Sequence, residues 1–100
     1  MAKTTDVIFR RWRSGDQEPL ALFPGVLADD KGNCSSYQHT GQHGAADYLH
    51  VMCATTPAYL CDKDVAALAH ELDGIGYTLH QVTRRNRRHT DAIAQALKAR

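Results

Sequence analysis

One hundred residues, 43% hydrophobic and 23% charged, suffice for one small globular domain with one modest core. The longest apolar run, Leu20 to Leu27, is broken by Pro24 and Gly25 and falls far short of the roughly 20 residues of a membrane helix. Lys3, Asp6 and then three arginines leave no apolar stretch for a secretory signal, so the expected location is cytoplasmic, with no membrane partner.

The net charge of +1 conceals a pattern, since residues 1–13 carry +3, residues 14–83 carry −7 and residues 84–100 carry +5. Basic ends around an acidic middle say more about partners than the total does. Three cysteines without a CxxC pair argue against a disulfide framework, and they read as small reduced hydrophobes.

In chain order, DVIFRRWR at 6–13 is rich in β-branched and aromatic types and predicts a first strand. Alternation sends Val7 and Phe9 to a core face and Ile8, Arg10 and Trp12 to the other. Turn residues at Ser14–Gln17 lead to a second strand at Leu20–Phe23, begun after Pro19, ended by Pro24-Gly25 and paired with the first as a hairpin. Cys34 to Thr40 predicts a third strand, closed by the Gly-Gln-His-Gly segment. Residues 45–59 fit helix and strand templates equally.

Val65, Leu68, Ala69 and Leu72 recur at i, i+3, i+4 and i+7 and predict an amphipathic helix over Asp62–Asp73. Asp62 is the expected N-cap, Gly74 the left-handed residue beyond the end and Ile75 the residue folding back on the last turn. Tyr77–Thr83 predicts a further strand. Thr90 is the expected cap of a short C-terminal helix with Ile93, Ala96 and Leu97 on one stripe.

The predicted fold class is α+β. Residues 1–83 form a small single domain in which three early strands, plus one after the main helix, make a mostly antiparallel sheet. One amphipathic helix packs on that sheet, with Leu68 and Leu72 on Val7, Phe9, Leu20 or Leu22. Residues 84–100 are read as a basic connector and short helix.

VIFRRW, then ALFP, then SYQHTGQHGAADY, then a helix ending ELDGIGYTL, resembles a group of small uncharacterised proteins from bacterial, phage and plasmid genomes. The likeness spans about residues 7 to 80. Its most specific part is the S-Y-x-H-x-G-Q-H-G-x-A-D motif that holds His39, Gln42, His43 and Asp47. The resemblance implies an accessory gene that travels on mobile elements, and it assigns no catalytic residue.

Cys34–Cys53 concentrates chemistry-bearing side chains. Cys34, His39, His43, and His50 or Cys53 are zinc-ligand types, and His39-x₃-His43 falls within zinc-finger spacing, although no close cysteine pair accompanies it. Cys34 or Ser36 with His39 or His43 as base and Asp47 as orienter is the nucleophilic arrangement on offer, but no elbow or cysteine-protease signature surrounds it. The favoured reading of the loop is structural, with Gly41 and Gly44 shaping a turn that Gln42 or His43 ties to its neighbours. No cofactor and no enzymatic activity are expected.

The basic run Arg84, Arg85, Arg87 and Arg88, together with Arg10, Arg11 and Arg13 around Trp12, has the composition of a phosphate-binding surface. Trp12 offers a stacking platform. Acids at Asp29, Asp30, Asp62, Asp64, Glu71 and Asp73 read as ordinary loop and helix-face residues.

The expected function is a non-enzymatic binding protein of mobile-element type that engages a host nucleic acid or nucleoprotein through its arginines. The alternatives are an inhibitor of a host defence-system protein, a zinc-stabilised domain or small hydrolase built on Cys34–Cys53, and a self-associating homodimer.

Overall fold

The computed structural model describes residues 4–15, 17–38 and 42–99. The sheet is assembled around β1 (Thr4–Trp12), which pairs antiparallel with β2 (Pro19–Leu27) in the register Ile8↔Leu22, Phe9↔Ala21 and Arg10↔Leu20. The Pro24-Gly25 pair does not end β2. It lies in an irregularity between Phe23 and Leu27, where a missing ladder donor is tolerated and the strand runs on to Leu27.

Next come β3 (Cys34–Gln38) and, paired antiparallel with it, β4 (Gln42–Ala46). The glycine-containing segment expected to close β3 therefore supplies most of a fourth strand.

The ambiguous stretch resolves into α1 (Tyr48–Ala54) and β5 (Thr55–Pro57). Asp47 caps α1, its Oδ1 accepting the His50 N–H at 3.3 Å. At the other end the Thr55 hydroxyl donates to the Val51 carbonyl at 2.6 Å. β5 pairs antiparallel with the far half of β1, opposite Arg10–Trp12.

α2 (Lys63–Gly74) is the predicted amphipathic helix, with Val65, Leu68 and Leu72 buried. Its C-terminus departs from expectation in one respect. Gly76, with φ +110°, is the left-handed residue, rather than Gly74. The Gly76 N–H donates to Asp73 and the Tyr77 N–H to Leu72, both at 3.1 Å, which is the Schellman arrangement. Tyr77 is consequently the side chain that folds back on Leu72, and Ile75 is left exposed.

β6 (Thr78–Gln81) runs parallel to the first half of β1, pairing with Thr4–Val7. The Val7 and Phe9 carbonyls accept from the Val82 and Ala58 N–H groups at 2.8 and 3.1 Å. Carbonyls two residues apart point to the same side of a strand, so β6 and β5 share one edge of β1.

α3 (Arg87–Lys98) is capped four residues before the expected Thr90. Asn86 caps it, its side chain accepting the His89 N–H while the His89 ring accepts the Asn86 N–H, so a capping box fixes the start.

The strand order is β4-β3-β2-β1-β5, with β6 beside β1, and helices cover both faces. On one face α2 packs against Val7, Phe9, Ala21, Phe23 and Tyr37. On the other, Ile8, Leu20, Leu22, Cys34 and Ala46 meet Val51 of α1 and Ile93 of α3. The fold is thus the expected α+β domain with a mostly antiparallel sheet.

The expected contact of Leu68 and Leu72 with Leu20 or Leu22 is not found. The Phe9↔Ala21 register puts Ala21 and Phe23 under α2 and turns both leucines to the opposite face. Among the described residues, no helix is long and apolar enough to cross a membrane.

Candidate nucleic-acid interface

The strand pleat separates the arginines that the sequence groups together. Arg10 lies on the same face as Ile8 and Trp12, and α1 covers it, leaving it 9% exposed. Its Nε donates to Thr55 Oγ1 at 2.9 Å, and Nη2 donates to the Thr55 and Met52 carbonyls at 2.8 and 3.2 Å. The guanidinium thus satisfies carbonyls at the end of α1 that have no helical partner. Burial pulls its pKa below the ordinary guanidinium value.

Arg11 points to the opposite face and binds Asp64 bidentately at 2.6 and 2.8 Å, with Asp62 at 3.4 Å. Asp62 occupies the N-cap position of α2 without a side-chain cap bond. The hydrogen bonds from Arg11 hold the Asp64 carboxyl below the usual carboxylate range. Trp12 is half-buried against the cluster that contains Ile8, Leu20 and Val51. Arg10, Arg11 and Trp12 are therefore withdrawn from the expected basic surface.

The remaining arginines among the described residues are wholly or partly exposed. Arg84, Arg87 and Arg88 are exposed at the β6–α3 connection and in the first turn of α3. Arg85 lies over the Tyr48 ring at 4.2 Å from its centroid, and its backbone N–H donates to the Tyr48 hydroxyl at 2.7 Å. Arg13 is exposed at the other end of α1, where its backbone N–H meets the Ala54 carbonyl at 3.3 Å. Arg13 and Arg85 bracket α1, a helix of seven residues or about 10 Å.

One carboxylate anchors this region. Asp6 Oδ2 accepts from His89 Nε2 at 2.6 Å, Asp6 Oδ1 meets His80 Nδ1 at 3.0 Å, and Arg88 Nη2 lies 3.5 Å from Asp6 Oδ2. Because His89 Nδ1 accepts the Asn86 N–H, the ring proton sits on Nε2 and points at Asp6. The hydrogen bond from His89, with a smaller one from His80, holds the Asp6 carboxyl below its ordinary range despite burial.

His89 is buried and both its nitrogens are engaged, so it ties α3 to β1. Gly25 leaves room for it, since a Cβ there would stand 3.2 Å from His89 Cδ2. Asp6 and His80 are not among the residues that the sequence singles out. The Asn86-x-x-His89 spacing of a capping box is the signal that could have found His89.

The loop candidates are dispersed. Directly paired residues on β3 and β4 share a face, and pairing sets Tyr37 opposite His43 and Cys34 opposite Ala46. Cys34 and Ser36 accordingly face α1 and α3, and His43 faces α2. The His43 ring stands edge-on to Tyr37 with centroids 4.7 Å apart, and its Nε2 is 3.2 Å from the Tyr77 hydroxyl. Tyr37 in turn donates to Glu71 of α2.

Burial pushes the Cys34 thiol up to about 11, and its Sγ donates to the Ala46 carbonyl at 3.5 Å. A buried neutral thiol on the face opposite His43 makes neither a nucleophile–base pair nor a shared metal site with it. Asp47 is spent as the α1 cap, and His50 is exposed on α1. His39 lies outside the described residues, as does the Gln42 side chain. Among the described residues, no group of three or more His, Cys, Asp or Glu could hold a metal ion.

Compared with family models, curated proteins and solved structures, the chain matches none.

Proposed function

We propose that this chain is a small non-enzymatic binding protein of mobile-element type that engages a host nucleic acid or nucleoprotein. The contact is made through Arg13, Arg84, Arg85, Arg87 and Arg88. The observation that carries this reading is the placement of Arg87 and Arg88 at the first two positions of α3. A helix N-terminus carries partial positive charge and favours acids there, yet the first turn of α3 has none.

The helix dipole therefore disfavours Arg87 and Arg88, and only Arg88 has a carboxylate, Asp6, to offset it, which is expected of an Arg87 kept for a partner. Among the described residues, the side chains of Arg84 and Arg87 make no ion pair and remain available to phosphates. Guanidinium groups bind phosphate oxygens bidentately, and the affinity comes largely from counterion release. The mobile-element origin rests on the resemblance of the His39–Asp47 segment.

The test is capture from bacterial lysate by the tagged protein, with and without nuclease, beside a variant in which Arg84, Arg85, Arg87 and Arg88 are alanine. Nucleic acid retained by the wild type, removed by nuclease and absent from the variant, is the expected outcome. Equal retention by both proteins would sink the reading.

A further inference from the structure

We propose that β4 is the interface of a symmetric homodimer, pairing antiparallel with the β4 of a second copy about a two-fold axis at Gly44. The backbone groups of this strand point in two directions. Ser36 Oγ donates to the Gly44 carbonyl at 3.1 Å and Cys34 Sγ to the Ala46 carbonyl at 3.5 Å, so both carbonyls are directed toward β3. Along a strand these groups alternate sides. The N–H and C=O groups of His43 and Ala45 therefore point away from β3, at an edge of the sheet that is open among the described residues.

Two copies related by a two-fold axis at Gly44 set His43 of each chain opposite Ala45 of the other. Each such pair exchanges two hydrogen bonds, so all four outward groups of each strand are satisfied. Gly44 then faces Gly44 as a non-hydrogen-bonded pair, with Cα atoms about 4.5 Å apart.

The composition of the edge fits a copy of itself. Neither β3 nor β4 contains Asp, Glu, Lys or Arg, so no like charges meet at the seam. Charge, proline and bulges are the usual guards of an exposed edge, and β4 has none of them. The opposite edge is guarded, since β5 is three residues long and ends in Pro57. Exposed Gly44 and Ala45 present no bulk, and His43 is held aside against Tyr37 and Tyr77. A shallow groove of about 370 Å³ beside Ser35, His43 and Ala45 leaves that flank open.

The two-fold axis stands perpendicular to the sheet, so both α3 layers lie on one side and both α2 layers on the other. The arginines of two copies would then face one partner together. That consequence rests on the nucleic-acid reading, whereas the dimer itself does not.

Sedimentation of the purified protein without nucleic acid, over a wide concentration range, should show twice the protomer mass at the upper end. The register is read with Gly44→Cys in a Cys53→Ser, Cys61→Ser background. Among the described residues a Cβ at Gly44 meets only Ser36 Oγ, at an ordinary 3.7 Å, so this chain should fold. Cα atoms about 4.5 Å apart lie within disulfide range, and mild oxidation should link the chains through position 44. Thr56→Cys on β5 in the same background should form no disulfide link, although it still dimerises through β4. A wild type that is monomeric throughout overturns the proposal, and so does cross-linking no better at position 44 than at position 56.

Discussion

On one side of the sheet α2 lays Val65, Leu68 and Leu72 over Val7, Phe9, Ala21 and Phe23, and the Phe23–Tyr77 stack closes the layer with centroids 5.0 Å apart. On the other side α3 buries only His89 and Ile93, and α1 only Val51. Charge divides along the same line. α2 carries Lys63 against Asp64, Glu71 and Asp73, and its one arginine neighbour, Arg11, is consumed by Asp64 and Asp62. Residues 84–98 carry Arg84, Arg85, Arg87, Arg88 and Lys98 against Asp91 alone. The α2 side buries more apolar helix side chains, and the α3 side presents charge.

The contrast is broken most readily by core truncation. Leu72→Ala should cost toward the upper end of the roughly 2–5 kcal/mol range for such changes, because Leu72 is fully buried. Ile93→Ala should fall near the lower end, since Ile93 is 8% exposed and its site can collapse. Urea unfolding measures both, and equal losses would contradict that ordering.

Arg10→Met keeps much of the buried volume but strips the Met52 and Thr55 carbonyls of their donor. About 2–4 kcal/mol should be lost, at roughly 1–3 kcal/mol per orphaned buried acceptor. A near-neutral result would contradict the role of Arg10 in holding the end of α1.

Asp6→Asn removes the carboxylate that His89 and His80 address, and about 1–2 kcal/mol should go with it. The wild type adds a pH signature. A carboxyl with a lowered folded-state pKa contributes stability that is complete above the ordinary carboxylate range and is lost as pH falls below about 4. The acid limb of the stability profile should be shallower in Asp6→Asn, and an unchanged limb would exclude Asp6 as its source.

The smallest effect is expected of Arg11→Ala, whose partners are largely exposed. The loss should be at most about 1 kcal/mol, with nucleic-acid binding unaltered, which separates this arginine from those of the α3 side.

Much of the α2 side is legible in the sequence, because Val65, Leu68 and Leu72 recur with helical period and Val7 and Phe9 alternate with strand period. Residues 45–59 are not legible, for a physical reason. α1 is only seven residues long, too short for a period to emerge, and its end is held by the Arg10 guanidinium from 42 residues away.

The same distance effect misleads the reading of charge. Arg10 and Arg11 are identical in type and adjacent, yet the pleat buries one under α1 and sends the other to the α2 carboxylates. The Ile8-Arg10-Trp12 stripe hints at this once that face is known to be covered. Which loop residues share a face with Cys34 depends on the β3–β4 register, which no local pattern specifies.

The most direct test of a charge-bearing α3 side is the salt dependence of duplex binding by the purified protein. The account predicts a steep fall of affinity with salt. It also predicts that the slope of log affinity against log salt shrinks by about 2–3 when Arg84, Arg87 and Arg88 are all alanine, at about 0.9 for each phosphate no longer neutralised. A wild type that does not bind, or a slope unchanged by those three substitutions, would contradict it.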